Sequence, residues 1–115
     1  KCSIRRLMMS VLLKEKKKRQ ETEKAERVVL FEDEKTMITF WRFPPGTETG
    51  WHQHTHDYVT LQQSNGKLKL ENRDGNIKVI DYKDGYAAGY SAPVEHNATN
   101  VGDVEIRVTE IEYKV

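Results

Sequence analysis

The chain has 115 residues, 37% hydrophobic and 32% charged, which suits one globular domain with a polar arm. No apolar run approaches the roughly 20 residues needed to span a bilayer, and a single cysteine, Cys2, excludes an internal disulfide framework. The net charge of +1 hides a split, with residues 1–30 at +6 and residues 31–115 at −5; lacking aromatic interleaving or a nucleic-acid motif, the basic stretch is read as a solvated arm rather than a nucleic-acid site.

Residues 1–27 form this arm. Lys1, Arg5 and Arg6 precede a short apolar patch from Leu7 to Leu13, which has the look of a secretory leader, but KEKKKRQ follows at once with no small-residue cleavage site. A cytoplasmic protein is therefore expected. From Leu7 to Arg27 there is no Gly or Pro, and Lys, Glu, Leu, Met and Arg dominate, so the arm is expected to be helical or disordered. Apolar residues stop at Leu13, leaving any further helix to charge pairs such as Glu15–Arg19.

Residues 28–115 read as an all-β domain. Val28 to Phe31 is a short apolar run, Glu32 to Lys35 a turn, and TMITFWRF a strand dense in β-branched and aromatic residues. FPPGTETG is a loop, and Trp51 to Gln62 reads as one strand. Asn65-Gly66 is a hairpin signal. Lys67 to Asn72 alternates, with Leu68 and Leu70 on one face; Asp74-Gly75-Asn76 turns; Ile77 and Val79 belong to a strand; and Asp84-Gly85 turns again. Val104 to Val115 alternates too, with Val104, Ile106 and Val108 on one face. Short strands at about ten-residue spacing with glycine-bearing turns point to an antiparallel sandwich or barrel. Nothing resembles a crossover helix.

The chemistry concentrates in four histidines: His52, His54, His56 and His96. The first three alternate along one expected strand, so they share a face with Tyr58. Imidazoles two residues apart reach one ion, and neutral imidazole suits Fe, Zn, Ni, Cu and, less well, Mn. One divalent metal ion is thus the expected cofactor, with His96 the remaining histidine to complete the set from another strand.

These residues resemble both short motifs of the cupin superfamily. In the first, a glycine stands five residues before His-X-His, with a glutamate and then a glycine beyond. Here Gly46 precedes TETGW, His52, Gln53 and His54; Tyr58 occupies the glutamate slot, and Gly66 closes the motif. In the second, Gly85, His96 and Asn100 keep the family spacing, while Ser91 and Pro93 replace the usual proline and glycine. The phrases PGTETGWHQHTHDYV, VEHNATNVGD and VTEIEYK look like a subgroup of small single-domain cupins, some of which carry a β-alanine degradation name. The resemblance implies a single jelly-roll barrel with a metal at its open mouth, held by His52, His54 and His96. Because the acidic ligand is replaced, three arrangements stay open: a three-histidine set completed by water, Tyr58 bound as phenolate, or His56 as a fourth ligand.

Tyr58, if not a ligand, is the candidate general acid or base, or else a pocket-lining aromatic. Arg42, on the preceding strand, is a candidate to grip a substrate carboxylate bidentately, or else a surface ion-pair partner. Trp51, just before His52, either flanks the substrate or simply packs. Glu48 reads as a loop charge, and Asn100 as the residue that fixes the turn after the His96 strand. The resulting expectation is a metal-dependent enzyme of isomerase, lyase or dioxygenase type acting on a small polar or carboxylate metabolite. The alternatives are a non-catalytic ligand-binding or sensor protein, and a metal-free dehydratase or epimerase in which His54, His96 and Tyr58 move protons. A homodimer is expected, partly from the need to cover an edge strand near Val28 to Phe31 and partly as what the cupin resemblance implies, and no membrane partner is expected.

Overall fold

A computed structural model of the protein describes residues 22–114. Nine strands account for the regular structure among them: β1 (Glu26–Glu32), β2 (Thr36–Phe43), β3 (His52–His54), β4 (Tyr58–Gln62), β5 (Gly66–Asn72), β6 (Ile77–Tyr82), β7 (Ala87–Tyr90), β8 (Val94–Asn100) and β9 (Ile106–Tyr113). They form two antiparallel sheets, one ordered β1-β2-β9-β4-β7 and the other β3-β8-β5-β6. This is the expected all-β jelly-roll barrel. No described helix is long and apolar enough to cross a membrane. The arm expectation for residues 1–21 lies outside the described residues; residues 22–27 are extended, with Lys24 bridged to Glu48 and β1 already under way at Glu26, because sheet pairing outweighs the helix propensity of Lys and Glu there.

Alternation dictates what fills the space between the sheets. Phe43, Ile106 and Val108 from one sheet meet Leu68, Tyr82 and Ala98 from the other to form the buried core. Polar groups buried beside it are satisfied. Asn100, 1% exposed, donates from Nδ2 to the carbonyls of Phe43 (2.9 Å) and Val104 (2.8 Å) and accepts from the Gly102 amide (2.9 Å). It locks the loop between β8 and β9, the role expected of it.

Two local expectations give way to the barrel topology. The stretch Trp51 to Gln62 is not one strand: β3 pairs with β8 in one sheet, and the chain breaks at Thr55–Asp57 to start β4 in the other. Likewise, Asn65-Gly66 does not close a hairpin, since β4 pairs with β7 and β9 while β5 pairs with β6 and β8. Gly66 carries the chain between sheets with φ +150°, and a Cβ there would lie 2.7 Å from Ile106 Cγ1, so only glycine fits. The Asp74-Gly75 turn does close the β5–β6 hairpin, with the Asn76 amide donating to Asp74 Oδ1 at 2.9 Å. The last strand begins at Ile106, not Val104, which stays 49% exposed.

Candidate metal centre

Short-range geometry and sheet pairing together collect three imidazoles. His52 and His54 are two residues apart on β3 and share a face. His96 on β8 is the direct cross-strand partner of His52. The His52 and His54 Nε2 atoms lie 3.0 Å apart, as do those of His52 and His96. One ligand nitrogen from each of the three falls within 4.8 Å of the others. His54 and His96 are buried and His52 half-buried.

The outward nitrogens decide what the inward ones can do. His52 Nδ1 lies 2.9 Å from the Gly50 carbonyl, with Thr49 Oγ1 at 3.2 Å. A carbonyl only accepts, so Nδ1 carries the proton and Nε2 presents a bare lone pair. His54 Nδ1 lies 3.1 Å from Glu112 Oε1, which fixes the same tautomer. Two lone pairs therefore face each other at hydrogen-bond distance, and a cation between them removes the repulsion. Protonation of His52 and of His96 is disfavoured: burial lowers the His52 pKa, and burial with the neighbouring imidazoles of His52 and His54 brings His96 down to about 3. A metal ion fits. For nitrogen–metal distances of about 2.1 Å, ligands at right angles sit about 3.0 Å apart and tetrahedral ones about 3.4 Å. The His52–His54 and His52–His96 spacings match ligands at right angles, and the third pair lies within 4.8 Å.

Two carboxylates border the histidines, and the sequence reading passed over both. Glu112 orients His54. Glu110 accepts from Trp41 Nε1 at 2.5 Å and places Oε2 3.8 Å from His54 Nε2. Burial raises the Glu110 pKa, against the pull of His54 and Trp41. The signal was present: the apolar face of β9 that runs through Ile106 and Val108 continues, by alternation, to Glu110 and Glu112. Opposite them, Tyr58 stacks on His54 with centroids 4.0 Å apart and on Tyr90 at 5.1 Å. Burial, with Glu110 next in weight, pushes its phenol well above the ordinary tyrosine range, which favours the protonated hydroxyl over a phenolate.

A cavity of about 380 Å³ opens above the cluster, lined by Arg27, Met37, Trp41, His54, Tyr58 and Glu112 among others. The other sequence-nominated residues are not brought there. His56 follows the break after β3 and contacts Thr55 Oγ1 at 3.2 Å, because the alternation that aligned it with His52 and His54 ends at His54. Arg42 points to the outer face, where its Nε donates to Glu26 at 2.9 Å. Trp51 is 43% exposed, with the Arg73 guanidinium 4.3 Å above its ring.

No family model matches the chain. The β-alanine degradation protein BauB of Pseudomonas aeruginosa is 38% identical over 86 residues, covering 75% of this chain and 90% of the relative. Among solved structures, a cupin domain from Bordetella pertussis superposes with a TM-score of 0.78 at 38% identity, covering 83% of this chain and 98% of that one. A cupin superfamily protein from Desulfitobacterium hafniense, at 14% identity and TM-score 0.62 over 81% of this chain and 80% of its own, shares the fold.

Proposed function

The chain belongs to the cupins, and from that premise we propose that it is a metal-dependent enzyme holding one divalent ion on His52, His54 and His96 and acting on a small carboxylate-bearing metabolite. The observation that carries the reading is the pair of bare Nε2 lone pairs of His52 and His54, 3.0 Å apart with both Nδ1 hydrogens committed elsewhere. Three neutral nitrogen ligands leave Fe, Zn, Ni, Mn and Cu all admissible.

When bound, the ion acts as a Lewis acid that polarises a substrate oxygen. The chain's own residues do the rest. Glu112 and the Gly50 carbonyl hold the two β3 imidazoles in orientation. Tyr58, kept protonated by its burial, offers a hydroxyl that can donate to a developing oxyanion. Glu110 can take a proton from a carbon or oxygen held near His54, its basicity increased by burial. Trp41, Tyr58 and Met37 supply the apolar part of the cavity lining. Isomerase, lyase and dioxygenase chemistry all use these parts, and the name of the Pseudomonas relative makes acids of the β-alanine type the first panel to try. The metal-free alternative, in which His54, His96 and Tyr58 move protons, leaves the two lone pairs opposed.

The test is turnover. The protein is reconstituted separately with each of the five metals and incubated with a panel of three- to five-carbon oxo, hydroxy and amino acids. Product formation in wild type, lost in His96→Ala, supports an enzyme; a ligand bound without turnover under every metal favours a sensor. We further propose a cytoplasmic homodimer. Edge strand β1 leaves Val28, Val29, Leu30 and Phe31 between 38% and 57% exposed, the kind of edge a second copy covers. Light scattering coupled to gel filtration checks it, and a monomer at micromolar concentration contradicts it.

A further inference from the structure

Four arginines lie in the described residues. Arg42 pairs with Glu26 and Glu105, Arg73 with Glu95, and Arg107 with Glu105. Arg27 differs: among the described residues it has no carboxylate within ion-pair distance, and it lines the cavity. Its place follows from register. Arg27 on β1 is paired with Trp41 on β2, and paired residues in an antiparallel ladder project to the same side. Trp41 faces inward, stacking on His52 with centroids 6.3 Å apart and donating to Glu110, so Arg27 is carried to the cavity while its neighbours Glu26 and Arg42 are carried outward.

Apart from the imidazoles, Arg27 is the one basic side chain among the described residues that line the cavity. A guanidinium presents paired donors that match a carboxylate. Trp41, paired with Arg27 and stacked on His52, joins the two ends of the site, an apolar surface that suits a short hydrocarbon segment. A volume of about 380 Å³ is near the bottom of the range for small-molecule pockets, roughly 300–1,000 Å³.

We propose that Arg27 is the anion anchor of this site, taking the carboxylate of a short monocarboxylate whose other end carries a carbonyl or hydroxyl oxygen toward His52, His54 and His96. The inference rests on the metal-site reading for the second half of that statement and on Arg27 and the cavity alone for the first.

The experiment is calorimetric titration of zinc-reconstituted full-length protein with 3-hydroxypropanoate and, separately, its neutral amide. Wild type is compared with Arg27→Gln, Arg27→Lys and Arg42→Gln, with metal content and thermal melting recorded for each sample. Wild type is expected to favour the carboxylate over the amide by at least about 10-fold, the size of one charge-assisted hydrogen bond. Arg27→Gln should erase that preference with metal content and melting unchanged, Arg27→Lys should keep part of it, and Arg42→Gln should keep all of it. Equal affinity for acid and amide in wild type, no binding of the acid at millimolar concentration, or a preference that survives Arg27→Gln overturns the anchor. A preference that depends on Arg27 in protein that takes up no zinc sustains the anchor and refutes the metal reading.

Discussion

Replacing Glu112 with glutamine isolates the contribution of the carboxylate to the metal site. In the wild-type protein Glu112 Oε1 lies 3.1 Å from His54 Nδ1, with the Glu112 side chain 15% exposed and the His54 side chain 10%. At that burial the contact is poorly screened, and a hydrogen bond to a carboxylate is about twice as strong as one to a neutral amide. The carboxylate also makes the imidazole a better electron donor through its far nitrogen. Glutamine keeps an acceptor oxygen and the shape but removes the charge. The expected cost is about 10- to 100-fold in metal affinity, or roughly 1.4–2.8 kcal/mol. Competition with a chromophoric chelator at pH 7.5 measures it, with the outer-face substitution Glu105→Gln as a control that leaves affinity unchanged. A Glu112→Gln protein that binds metal within threefold of wild type would show that the charge of Glu112 adds nothing to the affinity of the site, and the role given to the carboxylate would fall.

Three further outcomes test other links. His96 has a folded pKa of about 3 against 6.5 for an unperturbed imidazole, and His52 is lowered as well. Between those values the unfolded chain binds protons that the native state refuses, so metal-stripped protein should lose stability as pH falls from about 6.5, at up to about 1.4 kcal/mol per pH unit for each such group; denaturant titrations from pH 7.5 to 4 check this, and His96→Asn should flatten the slope. Asn100→Ala leaves the Phe43 and Val104 carbonyls without their shared donor in a site 1% exposed and should cost about 2–5 kcal/mol in urea unfolding; a loss under 1 kcal/mol refutes the role given to that side chain. Gly66→Ala forces a methyl against Ile106 Cγ1 at 2.7 Å with φ at +150° and should destabilise by about 1–3 kcal/mol, whereas Gly75→Ala meets no atom within 4 Å and should cost only its backbone strain.

Much of the barrel was legible because β structure writes its burial into a period of two. Leu68 and Leu70 alternate as they pack, and the Asp74-Gly75 turn closes the hairpin it suggests. What failed was topology. Local residues mark a turn but not the sheet in which the next strand lands, so Asn65-Gly66 looked like a hairpin while the chain was changing sheets. The same change of sheet splits β3 from β4 and sends His56 away from the histidines it alternates with. At the site, the spacing of His52, His54 and His96 was readable, but their cross-strand registration was not. One misplacement and one omission were avoidable. In TMITFWRF, Trp41 and Phe43 share one face and Arg42 takes the other, which already pointed Arg42 outward. In β9 the parity of Ile106 and Val108 already pointed Glu110 and Glu112 inward. Arg27 was hidden by charge composition, since it closes a run of basic residues that reads as an arm.

The most direct test of the metal site is elemental analysis by inductively coupled plasma mass spectrometry on untagged protein, wild type beside His54→Ala, His96→Ala and His56→Ala. Close to one equivalent of a single transition metal in wild type and in His56→Ala, lost in the other two, is the result expected from three converging nitrogens. Wild-type protein without metal, and with no rise in melting temperature when Fe, Zn, Ni, Mn or Cu is added, would contradict it.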